Sequence, residues 1–158
     1  MSFTFPDHVF IVAELSANHG GSLDTCLETV RAAAAAGADA IKVQTYTADT
    51  ITLDCDSDCF QISDGTLWDG TTLHALYREA ALPWEWHAPI QAEAERNGLV
   101  FFSSPFDFTA VDFLAAMDVP LYKIASFEIV DIPLIEYAAA RGRPMIISTG
   151  IAGLAEIE

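Results

Sequence analysis

Extended, β-rich runs take turns with helical patterns along almost the whole chain, and such alternation leaves few folds open. Val9–Leu15 reads as a first strand. Leu23–Ala36 reads as a helix, with Leu23, Leu27, Val30 and Ala34 at helical spacing, Ser22 placed to cap its start, Asp24 in its first turn and Gly37 to stop it. The cycle repeats as strand Ala40–Tyr46, helical segments Thr71–Ala80 and Trp84–Asn97, strand Leu99–Ser103, helix Thr109–Met117, strand Leu121–Ala125, helix Pro133–Ala140 and strand Pro144–Ser148. Five strands separated by four helical regions predict right-handed crossovers and a parallel sheet, either doubly wound or rolled into a barrel.

Polar residues collect at the C-terminal end of each strand: Glu14, Lys42 with Gln44, Ser103 with Ser104, Lys123 with Ser126, and Ser148 with Thr149. Barrel enzymes place their chemistry there. A dinucleotide-binding sheet needs G-x-G-x-x-G after its first strand, and Ser16-Ala17-Asn18-His19-Gly20-Gly21 does not supply it. The expected fold is therefore α/β, a (β/α)8 TIM barrel. A closed barrel takes about 250 residues, so residues 1–158 are expected to form its N-terminal part, about five strands and four helical regions. Thr47–Gly70 is longer than an ordinary βα loop and reads as an acidic lid or substrate loop. Asp54, Asp56 and Asp58 alternate there like the start of a calcium loop, but Cys59 and Gly65 stand where such a loop needs Gly and Glu.

A formal charge of −16, from 23 acidic against 7 basic side chains, repels phosphodiester backbones and anionic lipid, so neither nucleic acid nor a membrane is expected as partner. No apolar run reaches the ~20 residues of a membrane span, and the first residues do not resemble a signal peptide. Three cysteines, an odd number, argue against a disulfide framework. A cytoplasmic location is expected.

Against this acidic background the chain has two lysines, Lys42 and Lys123, both inside apolar strands. Period-two alternation puts Ala40, Lys42 and Gln44 on one face, and Leu121, Lys123 and Ala125 on one face. A buried ammonium must be paired or must meet an anion. Glu14, ending the first strand, is either a counter-ion or a group for proton transfer. Schiff-base chemistry is a further option for a lysine so placed. Ser104, Ser126, Ser148 and Thr149 offer hydroxyls to an anion or cap the next helix. Asn18 and His19 lie in the first βα loop, near the mouth. His8, His74 and His87 are expected on the surface or on helices, and no spacing marks a metal site.

Several blocks resemble the sialic acid synthase family, most closely its pseudaminic acid branch: Phe10 to Ser22, Gly37 to Thr50, Leu67 to Gly70 with Pro83 to His87, Phe102 to Asp107, Tyr122 to Ser126, and Ile147 to Gly150. Gln44 to Thr50 and Leu67 to Gly70 point to the branch. The resemblance implies condensation of phosphoenolpyruvate with an acylated amino sugar, a 2,4-diacetamido-2,4,6-trideoxy-altrose, releasing phosphate. It implies that Lys42 and Lys123 bind phosphoenolpyruvate, that Ser104 and Ser126 complete its cradle, and that Glu14 handles protons. Gln44, Asn18 and His19 are further substrate-site candidates. It also implies a divalent metal, Mn2+ or Mg2+, a homodimer, and a C-terminal antifreeze-like domain. The metal's histidines and that domain are expected beyond the fifth strand. A sialic or legionaminic acid synthase is the nearest alternative, and a non-catalytic half-barrel module is the alternative of another class.

Overall fold

The computed structural model describes residues 3–63 and 65–158, with five parallel strands in the order β1-β2-β3-β4-β5. These are β1 (Val12–Glu14), β2 (Ala40–Thr45), β3 (Val100–Pro105), β4 (Tyr122–Ile124) and β5 (Met145–Ile147). Between them run α1 (Leu23–Ala35), the one-turn α2 (Ala48–Ile51), α3 (Leu73–Ala80), α4 (His87–Arg96), α5 (Phe108–Ala116) and α6 (Ile132–Ala139), with α7 (Leu154–Ile157) after β5. A doubly wound sheet reverses its strand order at a switch point. Here every strand adds on the same side of the last, which is the wall of a half-barrel.

Alternation along the strands sends their two faces to two cores. Ile41, Val43, Phe101, Tyr122 and Ile124 face outward and pack on Val30 of α1, Ile90 and Ala94 of α4, Val111 and Leu114 of α5, and Leu134 and Ala138 of α6. Ala40, Phe102 and Leu121 form the other cluster, with Val12, Val100, Ile146 and the rings of Phe3 and Phe10. Ile41, Phe102 and Leu114 are wholly buried, and each such side chain contributes about 1.5–3 kcal/mol by leaving water. The inner cluster fills the bottom of the bowl. Register then stacks the next inward residues above it: Glu14 beside Lys42, and Gln44 beside Ser104.

The helix starts hold the strand ends in place. Asp107 accepts from the backbone N–H groups of Thr109 (2.7 Å) and Ala110 (3.1 Å) directly after β3, and Asp131 accepts from Leu134 (3.1 Å) after β4. Ser22 caps α1 through Thr25 at 3.3 Å, and Gly37 leaves that helix with φ of 88°, a left-handed turn that suits glycine.

Three departures from the sequence reading have physical causes. The first strand is shorter than Val9–Leu15, because the Ile11 N–H is taken by the Asp39 carboxylate at 2.8 Å instead of a ladder partner. Val9 and Ile11 stay exposed, while Phe10 turns inward onto Phe3 and Phe5. The connection 47–70 is not structureless, for it contains α2, a 3-10 turn Asp58–Phe60 and a bridge from Gln61 to Thr72. Finally, His74 and His87 lie on helices as expected, yet both are buried. Behind the sheet His87 Nε2 meets Thr45 Oγ1 at 2.8 Å and Thr45 Oγ1 meets Ser103 Oγ at 2.7 Å, with the single Ser103 proton shared between Thr45 Oγ1 and the Val43 carbonyl at 3.1 Å. This chain of polar contacts clamps β2 to β3 from the outside.

Candidate active site

The inward side chains at the C-terminal ends of β1 to β5 converge on one bowl. Glu14 and Lys42 are register partners, and the Lys42 ammonium donates to Glu14 Oε2 while the Ser16 hydroxyl donates to Oε1. Each carboxylate oxygen therefore holds one donor. Lys123 donates to the Ile124 carbonyl at 2.6 Å and to Ser148 Oγ, both neutral acceptors. Among the described residues no carboxylate forms an ion pair with it. Burial, then the charge of Lys42, pushes the Lys123 ammonium below the usual lysine range, with Glu14 and Glu128 pulling the other way. Two cations that repel each other inside a half-buried bowl, one of them paired only with neutral oxygens, are a charge arrangement that an anion can relieve.

Hydroxyls stand at the same strand ends. Ser104 is buried on β3, opposite Gln44. Ser126 stands at the entry to a 3-10 turn, Phe127–Val130, that follows β4. Its hydroxyl is pressed against Gly150, where an added Cβ would lie 2.6 Å from Ser126 Oγ. Ser148 comes from just past β5 and touches Lys123 directly. Sequence reading names Ser148 as a hydroxyl donor without giving it a site role; the inward alternation of Ile146 and Ser148 is the signal that marks it.

Beside the bowl opens a cavity of about 470 Å³, walled by Tyr46, Ile51, Tyr77 and Phe106 and carrying Gln44 and Glu128 as polar groups. Burial raises the Glu128 carboxyl above the usual carboxylate range, and its Oε2 has no hydrogen-bond partner among the described residues. Burial also pushes the Tyr46 phenol up to about 12, so it stays protonated. Glu128 escapes sequence reading because it lies on a short turn after β4, where no periodicity points inward.

Asn18 and His19 lie in the first βα loop and are held by contacts within it and to α3. Asn18 Nδ2 donates to the Leu15 carbonyl at 3.0 Å. His19 is buried, with Nε2 donating to the Ala80 carbonyl at 3.1 Å, Nδ1 accepting from Gly21 N–H at 3.0 Å, and Trp86 edge-on to its ring. Nε2 ties the loop to the end of α3, and Nδ1 holds the loop's own turn.

Residues 29–158 match the NeuB family. A pseudaminic acid synthase of Campylobacter jejuni is 49% identical over 151 residues, a stretch that covers 96% of this chain and 44% of the relative. A pseudaminic acid synthase of Helicobacter pylori is 48% identical, over 94% of this chain and 43% of its own. The crystal structure of the N-acetylneuraminic acid synthetase of Leptospira borgpetersenii, solved with citrate, aligns at a TM-score of 0.82 and 29% identity, covering 99% of this chain and 52% of that one. The chain thus spans less than half the length of these curated relatives. No helix among the described residues is long and apolar enough to cross a membrane.

Proposed function

The chain belongs to the NeuB family, and on that premise we propose that it supplies the phosphoenolpyruvate-binding part of a synthase. That synthase condenses phosphoenolpyruvate with 2,4-diacetamido-2,4,6-trideoxy-altrose to give pseudaminic acid and phosphate. The observation that carries this reading is the second lysine. Lys123 lacks an ion-paired carboxylate among the described residues and is repelled by Lys42, so a ligand bearing both phosphate and carboxylate relieves both. Citrate in the Leptospira relative, a polycarboxylate, accords with an anion site in that fold. Identity to the pseudaminic acid synthases, 49% and 48%, exceeds the 29% to the N-acetylneuraminic acid synthetase and supports the branch.

In this reading Lys42 and Lys123 hold the two anionic groups of phosphoenolpyruvate, and Ser104, Ser126 and Ser148 donate to its oxygens. Gln44 stands between the anion bowl and the aromatic cavity, which receives the sugar. Asn18 and His19 brace the first βα loop. The enol carbon attacks the aldehyde of the open-chain sugar, whose oxygen takes a proton. Water then adds to the resulting cation and loses a proton, and phosphate leaves. Glu14, with each oxygen bound to one donor, is placed to accept the water's proton once Lys42 turns to the ligand.

A divalent metal belongs to the family's chemistry, but among the described residues no three His, Cys, Asp or Glu side chains converge to hold one. We propose that in the whole protein further strands, the metal ligands and an antifreeze-like domain complete a homodimeric enzyme; the matched stretch covers only 44% of the Campylobacter relative.

Calorimetry of phosphoenolpyruvate against the folded chain tests the core of the proposal. Binding that is lost in Lys42→Ala and Lys123→Ala is expected, and binding indifferent to both overturns it. Phosphate release by a complete form with Mn2+ tests the acceptor. Activity with N-acetylmannosamine in place of the altrose derivative overturns the branch.

A further inference from the structure

The acidic connection between β2 and α3 carries a reactive feature that takes no part in the anion bowl. Cys55 Sγ lies 3.2 Å from Ser57 Oγ, and Cys59 Sγ lies 3.4 Å from the same oxygen. One hydroxyl bridges two thiols, so the sulfurs stand no further apart than those two contacts laid end to end. Cys55 is half-buried and Cys59 exposed, whereas Cys26 is sealed in the core. Cys59 sits on a single 3-10 turn, which offers little resistance to the small side-chain rotations a disulfide requires.

We propose that Cys55 and Cys59 are a redox modification site, a reversible dithiol–disulfide pair that closes a ring across this turn. Cys55 is the attacking thiol. Hydrogen bonds from the Ser57 hydroxyl and backbone draw it below the usual thiol range, against burial and the charge of Asp56. Burial moves Cys26 the other way, so it stays a thiol. The oxidant is a low-molecular-weight disulfide. Cys55 thiolate attacks one of its sulfurs, the sulfur–sulfur bond breaks, and the first small thiolate leaves. Cys59 then loses its proton and attacks Cys55 Sγ, displacing the second small thiolate. The two cysteine sulfurs give up two electrons, the small disulfide gains two, and the two protons end on the released thiols.

The surroundings choose among oxidants. Asp54, Asp56 and Asp58 flank the pair, and their field attracts a cationic disulfide and repels an anionic one. Closure also acts on a span anchored on both sides. Asp49 Oδ1 meets His74 Nε2 at 2.8 Å on one side, and Gln61 bridges to Thr72 on the other. Gln61 Nε2 additionally donates to the Asp56 carbonyl at 3.0 Å. The disulfide stiffens the stretch that follows Ile51, one wall of the aromatic cavity.

The test exposes the native chain to cationic cystamine and, in parallel, to anionic glutathione disulfide, and follows both by mass spectrometry of the whole chain and its peptides. The expected product has lost two hydrogens, joins Cys55 to Cys59, leaves Cys26 free and reverts with dithiothreitol. Cystamine reacts about tenfold faster at low salt, and the gap narrows as salt is added. Cys59→Ser stops at a mixed disulfide on Cys55, and Ser57→Ala slows that first exchange by about threefold. Stable separate mixed disulfides on Cys55 and Cys59 overturn the proposal. So does a Cys55–Cys59 link that forms only when Cys26 also reacts, because that reports unfolding.

Discussion

Acid should loosen this fold through one side chain, His87. It is wholly buried, and burial lowers its pKa from 6.5 to about 4. Nδ1 meets the Pro83 carbonyl at 3.3 Å, and a carbonyl only accepts, so that nitrogen carries the proton and Nε2 accepts from Thr45 Oγ1. In the unfolded chain the imidazole takes up its proton near pH 6.5, and in the folded chain only near pH 4. Between those values the unfolded state binds more protons, so stability drops as pH falls through the window and levels off below it. At about 1.4 kcal/mol for each pH unit of separation, the full loss is about 3 kcal/mol. Set against the 5–15 kcal/mol of an ordinary domain, that is roughly a third of the total. Urea unfolding at intervals from pH 7.5 to 4 measures it, with His87→Gln as reference. The amide keeps a donor and an acceptor but does not titrate, and the other histidines and carboxylates cancel in the difference. The stability gap between the native chain and the variant should drift by about 3 kcal/mol in favour of the variant as pH falls. A gap constant with pH would refute the assignment of a neutral, buried imidazole.

The bowl makes three further predictions, and the end of α1 a fourth. Lys123→Met should weaken phosphoenolpyruvate binding by about tenfold or more in calorimetry, the worth of one charge-assisted contact; equal affinity would remove Lys123 from the site. Because burial and Lys42 hold Lys123 below the usual lysine range, affinity should decline on the alkaline side before an ordinary lysine titrates, and a flat profile up to that range contradicts the coupling. Gly150→Ala should turn the Ser126 hydroxyl out of place, since its Cβ would fall 2.6 Å from Ser126 Oγ; affinity should drop about threefold, the fraction of one hydrogen bond, while the urea midpoint moves little. Gly37→Ala, at φ of 88°, should cost about 1–2 kcal/mol of stability without touching phosphoenolpyruvate binding; a change in affinity would mean that the end of α1 is coupled to the bowl.

Much of this arrangement is legible in the sequence because alternation and charge scarcity act together. Two lysines in apolar strands of so acidic a chain have few places to go, and period two turns Lys42 and Gln44 to one side together. Strand ends are harder to read: nothing local shows that Asp39 will take the Ile11 N–H and shorten β1. His19 looks like a free imidazole at the mouth, and its capture depends on Ala80, which arrives from α3 only once the chain has folded. Glu128 illustrates the same limit, since the cavity it lines is completed by residues from β2, α2 and α3. Contacts between distant segments leave no trace in a window of ten residues.

Ser103 and Ser104 are neighbours in sequence with opposite duties, one turned to the hydroxyl–imidazole clamp behind the sheet and the other into the bowl. A strand that slipped by one residue would trade them. A slip one way would seat Phe102 in the clamp, and a slip the other way would seat Pro105 at the bowl position, so either direction costs one of the two hydroxyls. Misalignment of β3 is thus penalised in either direction, on one face or on the other, and only the correct threading of the sheet keeps clamp and bowl together.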